Sequence, residues 1–337
     1  MGRIDLDGAS EARMILSSAM NHVRGQTSIT IPAWLKSALD ERGLVNFDDF
    51  LNYAEDAAVS RRGKRPVRPL KLQLNGKEEG FYLKQFRLTL RFLFTEIWKR
   101  RLPVLAGSRR ELEIIRLLEK HQVPVMSPAA WGERRRFGLP VAGFLLVRAV
   151  VGEPLVERYA RASGAVRRRL RRLHGSLIGT LHKHGILTKV RPRDLMLVSE
   201  PAGDFRQSLV VIDRERGLTM PVAMSTKQRA TQLADVWCKS GTELGLGTRG
   251  ELQAFLAGYF RAAETPASER RELESCMQEA GLGFIGRDTT AIHRFEGLWR
   301  PLGPLSLGPV NNGRYDMKLI TTLRRFQIWG NPNSGPG

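Results

Sequence analysis

The chain has 337 residues, 42% of them hydrophobic and 26% charged, enough for one large domain or two lobes with a sizeable core. No run approaches the roughly 20 consecutive apolar residues that cross a bilayer, and the mixed-charge stretch from Met1 to Gly25 lacks the apolar segment of a secretory signal. The two cysteines, Cys238 and Cys276, make no disulfide framework and no Cys/His spacing reads as a zinc site, so a reducing, cytoplasmic setting is expected.

The formal net charge is +20. Such an excess calls for an anionic partner: nucleic acid, an acidic membrane surface or a phosphorylated substrate. The positive charge comes in runs, at Arg61-Arg62-Gly63-Lys64-Arg65, Lys99-Arg100-Arg101, Arg134-Arg135-Arg136 and Arg167-Arg168-Arg169 with Arg171-Arg172. Four runs in separate elements predict a broad basic surface. Aromatic residues are not interleaved with them, and there is no helix-turn-helix, zinc-finger or RNA-binding signature, so no specific nucleic-acid partner is expected.

In chain order, residues 1–30 read as an extension. Ala33 to Ala58 reads as short helices with apolar Leu35, Leu39, Leu44, Phe47 and Leu51, and the basic stretch from Arg61 to Pro69 as a loop. Leu70 to Leu74 alternates at period two, Asn75-Gly76 is a turn dipeptide, and Gly80 to Phe86 is the return strand of a hairpin. Ser108-Arg109-Arg110-Glu111 has capping-box spacing and opens a helix with Leu112, Ile115 and Leu118 on one face. Val141 to Val151 is a buried strand leading to a connector at Gly152-Glu153-Pro154. Val166, Leu170, Leu173, Leu177 and Leu181 mark a longer helix that Gly185 ends. Leu195–Val198 and Leu209–Ile212 are two short strands joined by a polar loop. Helices follow at about Lys227–Ser240 and Gly250–Ala263, and 301–337 reads as an irregular tail. A β-rich first half and a helical second half predict an α+β protein of two lobes with a cleft between them, divided as residues 1–30, 31–150, 151–300 and 301–337.

Phosphoryl transfer needs a cation on the phosphates, a carboxylate holding that cation, oxygen ligands for magnesium and a group that orients the acceptor. Lys84, inside an apolar strand, is a candidate for the first role, and Glu111 or Glu113 on the next helix for the second. Glu111 is equally placed to be the capping partner of Ser108, and the sequence does not separate the two roles. Asp213 follows the apolar strand Val210-Val211-Ile212, and Asp194 precedes its partner strand. Two carboxylates at adjoining hairpin ends can share one magnesium. Of the six histidines, His182 and His184 lie where they satisfy a helix C-terminus.

These pieces resemble the lipopolysaccharide kinases of the Kdo/heptose kinase (WaaP-like) group, relatives of the eukaryotic-type protein kinases. The resemblance runs from about Leu70 to Arg261. It rests on Gly80-Phe81-Tyr82-Leu83-Lys84, Arg101-Leu102-Pro103-Val104-Leu105, Val123-Pro124-Val125-Met126 and Ala130-Trp131-Gly132-Glu133-Arg134. It continues through Leu181-His182-Lys183-His184-Gly185-Ile186, Val211-Ile212-Asp213, Leu233-Ala234-Asp235 and Phe255-Leu256-Ala257-Gly258-Tyr259. It implies a bilobal protein-kinase-like fold, with a small β-rich N-lobe and a larger helical C-lobe, that uses ATP and Mg2+. Lys84 becomes the phosphate-contacting lysine and Glu111 its helix partner. Phe144 to Val150, with Phe144 and Arg148, become the strand and hinge that meet the adenine. Asp213 becomes the magnesium aspartate and Asp194 the second metal position. The implied substrate is anionic lipopolysaccharide or lipid A-core, reached from the cytoplasmic surface of the inner membrane by a peripheral protein. In kinases an aspartate five residues before the second metal position orients the acceptor hydroxyl; here that residue is Lys189. Asp194 read instead as the catalytic aspartate would put Ser199 at the metal position. Lys189 at the base position also motivates an alternative, a pseudokinase that binds nucleotide or anionic lipid without efficient transfer.

Overall fold

In the computed structural model the residues described are 26–54, 66–88, 107–201, 204–213, 218–219, 224–285, 293–295 and 298–299. The basic runs at 61–65 and 99–101 and the 301–337 tail lie outside them. The chain divides into two compact units, Met1–Ile115 with Met126–Ala149 and Arg116–Val125 with Val150–Gly337.

The first unit is built on the predicted hairpin. Strands β2 (Val67–Leu74) and β3 (Lys77–Arg87) pair antiparallel from Val67↔Lys84 to Leu74↔Lys77. Their turn has φ 50° at Asn75 and 75° at Gly76, the left-handed pair that a two-residue hairpin turn needs. The strand begins at Val67, so the loop expected as far as Pro69 is shorter. Three further strands, β1 (Thr27–Thr30), β4 (Pro128–Arg136) and β5 (Leu139–Arg148), complete an antiparallel sheet in the order β1-β4-β5-β3-β2. Thr27–Thr30, assigned from composition to the extension, is thus an edge strand, paired with Trp131 to Arg134.

Period-two alternation divides this sheet sharply. On one face Leu70, Leu72, Leu74, Phe81, Leu83, Phe144 and Leu146 pack with Leu35, Leu39, Phe47 and Phe50 from helices α1 (Ala33–Asp40) and α2 (Phe47–Asn52). The Phe50 and Phe144 rings stack at 4.1 Å and 4°. Gly132 lies opposite Phe144, and a Cβ there would come within 2.5 Å of the ring, which requires glycine. Gln85 extends onto the same face and donates to the carbonyls of Phe50, Leu51 and Tyr53, closing the end of α2. The opposite face carries Lys84, with α3 (Gly107–Lys120) supplying its partner.

The second unit is mostly helical. After the two-residue strand β6 (Glu153–Pro154) come α4 (Leu155–Arg161) and α5 (Gly164–Lys183), which ends at Gly185 with φ 66° as its sequence predicts. Strands β8 (Leu195–Leu197) and β9 (Leu209–Val211) form the expected hairpin, joined through a short helix α6 (Phe205–Ser208) and extended by β6. Strand β7 (Ile186–Leu187) pairs with β10 (Leu218–Thr219). Helices α7 (Thr226–Leu244) and α8 (Arg249–Ala262) both open on capping boxes, Ser225/Gln228 and Thr248/Glu251. Helix α9 (Ala267–Ile285) packs on α7.

Helices α5 and α8 meet through glycine. A Cβ on Gly175 would fall 1.9 Å from the Phe255 carbonyl oxygen, one on Gly258 2.1 Å from that of Arg172, and one on Gly179 2.5 Å from that of Tyr259. The backbones touch, so only hydrogen fits at all three positions.

The basic runs that are described do not form one solvated surface. Arg134 makes two hydrogen bonds to Asp48, at 2.9 and 2.8 Å, and covers the Phe47 ring; Arg135 pairs with Glu133. Arg171 is buried between the Tyr159 and Trp237 rings and donates to the Gly245 carbonyl. Among the described runs, exposed arginines remain at Arg136 and along part of α5, at Arg168, Arg169 and Arg172.

Candidate functional site

In the first unit Lys84 Nζ lies 2.6 Å from Glu111 Oε1. The pleat aims Lys84 at α3, and the helix turns Glu111 toward the sheet. This settles the two roles of Glu111. Ser108 is inside the helix, and its buried hydroxyl finds no hydrogen-bond partner among the described residues, so no capping box forms and the carboxylate serves the lysine.

The register β3↔β5 separates the residues expected beside the adenine from the face of Lys84. Lys84 pairs with Leu145, and Tyr82 with Val147, so these four share a face. Phe144 and Arg148 fall on the other. Phe144 is fully buried in the α1/α2 core, and Arg148 forms an ion pair with Glu79 at 2.8 Å and lies over Trp34. The apolar surface beside Lys84 therefore comes from Leu145 and Val147, one residue out of phase with Phe144 and Arg148, because neighbouring strand residues point to opposite faces.

In the second unit the β8–β9 hairpin brings Asp194 and Asp213 to one end: Leu195 pairs with Val211, and the Ile212 N–H donates to the Asp194 carbonyl at 2.8 Å. Asp213 is exposed and holds φ 57°, in the left-handed region that aspartate tolerates better than most residues. Asp194 is buried at the end of a 3-10 turn (Pro192–Asp194), where Oδ2 accepts from the Arg191 backbone N–H at 3.1 Å and from Arg191 Nε at 3.3 Å. Among the described residues no group of three or more His, Cys, Asp or Glu side chains could hold a metal ion. Asp213 fits magnesium as an exposed carboxylate, whereas Asp194 would have to exchange arginine contacts for it.

Lys189 is not a lone group at the base position. Its ammonium lies 2.8 Å from Oδ2 of Asp235, a buried carboxylate on α7 whose other oxygen is 2.8 Å from Lys239. Burial pushes the Lys189 ammonium below the ordinary lysine range, and Asp235 opposes that.

Two more side chains hold this loop, and the sequence reading assigned them no role. Gln232 Nε2 donates to the Thr188 carbonyl at 2.7 Å, and the His174 ring, through Nε2, bonds the Val190 carbonyl at 2.9 Å. The Gln232 oxygen then accepts from His182 Nε2 at 2.8 Å, which leaves His182 Nδ1 to accept from the Tyr259 hydroxyl at 3.0 Å. His182 is thus a buried relay and not a helix-terminal cap, the position that His184 takes. Burial holds both His174 and His182 down to about 4, so both are neutral. The available signal was a glutamine and an aspartate, three residues apart, inside the apolar pattern of a helix.

No curated protein shows significant sequence similarity to the chain. Among solved structures, it is similar to WaaP in complex with acyl carrier protein, at 20% identity and a TM-score of 0.50, with 75% of this chain and 99% of that chain covered. A looser likeness, at a TM-score of 0.35 and 15% identity, is to an aminoglycoside-3'-phosphotransferase of type VIII, covering 74% of this chain and 100% of that one. The first of these, with the two units and the antiparallel sheet, gives a protein-kinase-like α+β fold. The family model of the lipopolysaccharide kinases (Kdo/WaaP) matches residues 56–259, more than half of the chain. The chain belongs to the lipopolysaccharide kinase (Kdo/WaaP) family.

Proposed function

We propose that the protein transfers phosphate from ATP to a hydroxyl of a lipopolysaccharide inner-core sugar, Kdo or heptose. The observation that carries this reading is the Lys84–Glu111 pair on a sheet face shared with Leu145 and Val147. A lysine fixed by a helix carboxylate beside apolar strand residues suits a nucleotide whose base packs on the strand and whose phosphates meet the ammonium. Bound ATP would supply the transferable phosphoryl group, and magnesium would neutralise its charge. Lys84 would hold the phosphates, Glu111 would keep Lys84 in place, and Asp213 would take the metal. Asp194, the one carboxylate among residues 188–194, would orient the acceptor hydroxyl or take the second metal position.

The net charge of +20 and the exposed arginines of α5 support an anionic substrate and peripheral attachment to the cytoplasmic face of the inner membrane. No helix among the described residues is long and apolar enough to cross a membrane. The test is phosphate transfer from Mg-ATP to core-bearing lipopolysaccharide. Transfer lost in both Lys84→Ala and Asp213→Ala is expected; activity unchanged in both overturns the reading.

One observation favours a second reading, a pseudokinase. Lys189 stands five residues before Asp194, where a kinase carries its acceptor-orienting aspartate, and it is bound to Asp235. A rise in melting temperature with Mg-ATP, without transfer to any core acceptor, would favour this reading over the first.

A further inference from the structure

Residues 188–190 are gripped at three successive positions by side chains from two helices. Gln232 of α7 takes the Thr188 carbonyl, Asp235 of α7 takes the Lys189 ammonium, and His174 of α5 takes the Val190 carbonyl. All three gripping side chains are buried, so each unmade bond would leave a desolvated polar group. Asp235 is the most demanding of them, because a carboxylate 2% exposed inside a helix needs positive partners. Lys239 supplies one from the next turn of the same helix, close enough to the Lys189 ammonium to repel it. Lys189 supplies the other and is the only one of the two that joins α7 to the loop. From Val190 the chain runs through Arg191, which holds the Asp194 carboxylate, and the Asp194 carbonyl then receives Ile212 N–H, one residue before Asp213.

We propose that Lys189 is a positioning residue: through its ion pair with Asp235 it fixes the 188–194 loop and so presets the Asp194 carboxylate. Its side chain is spent on the fold of the loop and never reaches substrate. This deepens the phosphotransfer reading and rests on it for the role of Asp194, but the clamp has a readout of its own. A lysine where kinases place an aspartate is then a structural substitution, and its presence does not by itself mark a lost activity.

The experiment compares Lys189→Met, Lys189→Arg and Lys239→Met in the full chain by amide hydrogen exchange and by transfer kinetics. Lys189→Met is expected to speed exchange across 188–195 by about tenfold or more while amides of α8 stay within about twofold. It is also expected to lower kcat with the KM for ATP unchanged. Lys189→Arg restores both, and Lys239→Met changes neither. If Lys189→Met does not fold, Lys189→Gln, which can still donate one hydrogen bond, takes its place. Loop exchange unchanged in the Met or Gln variant overturns the proposal, as does equal loosening by Lys239→Met. If the wild-type protein transfers no phosphate, the phosphotransfer reading fails and the exchange measurements still decide the clamp.

Discussion

The Lys84 ammonium and the Glu111 carboxylate lie 2.6 Å apart with side chains 14% and 3% exposed. The two partners are therefore unequal in what their loss leaves behind. Lys84→Ala takes the ammonium away from a buried carboxylate, whereas Glu111→Ala leaves a lysine with some access to water. Breaking a buried pair from one side costs about 3–5 kcal/mol, so Lys84→Ala is expected near that range and Glu111→Ala below it. The double variant Lys84→Met/Glu111→Leu removes both charges and is expected to recover most of the lost stability in urea unfolding. It should not recover a thermal shift with Mg-ATP. Full recovery of both would show that the pair has no part in nucleotide binding.

The α5–α8 contact predicts a glycine effect opposite in sign to helix propensity. Alanine is favoured over glycine inside a helix by about 1 kcal/mol. At Gly175 the added Cβ would meet the Phe255 carbonyl oxygen at 1.9 Å. Gly175→Ala should therefore destabilise by about 1–3 kcal/mol or more as the helices are forced apart. Gly164→Ala, at the exposed start of α5 with its nearest neighbour 3.8 Å away, should be neutral or slightly stabilising. Equal effects at both positions, read from denaturant midpoints, would contradict the close approach.

What the sequence made legible follows from how local each signal is. The β2–β3 hairpin combines period-two alternation with an Asn-Gly turn, both contained within about twenty residues of chain, and it forms as expected. Strand β1 is a four-residue, wholly exposed edge, and the sequence of β4 has a glycine at its centre and three arginines at its end, so neither carries an apolar pattern. Helix α9 carries its buried stripe only from Leu273 onward, through Met277, Ala280 and Gly281, and two of those four residues are small. Lys84 was found because a lysine inside an apolar strand stands out. Phe144 and Arg148 lie one residue out of phase with the lysine's face, and that register depends on a partner strand some sixty residues away. The loop clamp was hidden for the same reason: Gln232 and Thr188 meet only after folding.

The buried histidines predict an acid-sensitive fold. His174 and His182 sit at about 4 in the native protein against an ordinary value near 6.5, because burial disfavours the cation. Unfolded chains take up these protons first as the pH falls, so the unfolded state binds more protons through this window and stability falls with it. The contribution is complete above about pH 6.5 and is lost progressively down to about pH 4, up to about 3 kcal/mol for each histidine. Unfolding free energy measured from pH 8 to pH 4 should decline over that interval, and His182→Gln should make the decline shallower. A flat profile in the wild-type protein would refute the assignment of both rings as neutral and buried.

Asp213 separates stability from function in a way that a glycine can expose. It is a non-glycine residue at φ 57° at the end of β9, and left-handed backbone costs a side chain about 1 kcal/mol that glycine does not incur. A residue kept there against its backbone preference is a candidate for a role that needs the side chain. Asp213→Gly is expected to leave the unfolding free energy within about 1 kcal/mol of wild type, on either side, since relief of strain offsets the greater freedom of the unfolded chain. The thermal shift on adding Mg-ATP should vanish, while Asp213→Asn, which keeps one oxygen ligand but loses the charge, should keep a reduced shift. A shift unchanged in Asp213→Gly would remove Asp213 from the metal site. A loss of several kcal/mol in stability would mean that the aspartate is held there by the fold and not by what it binds.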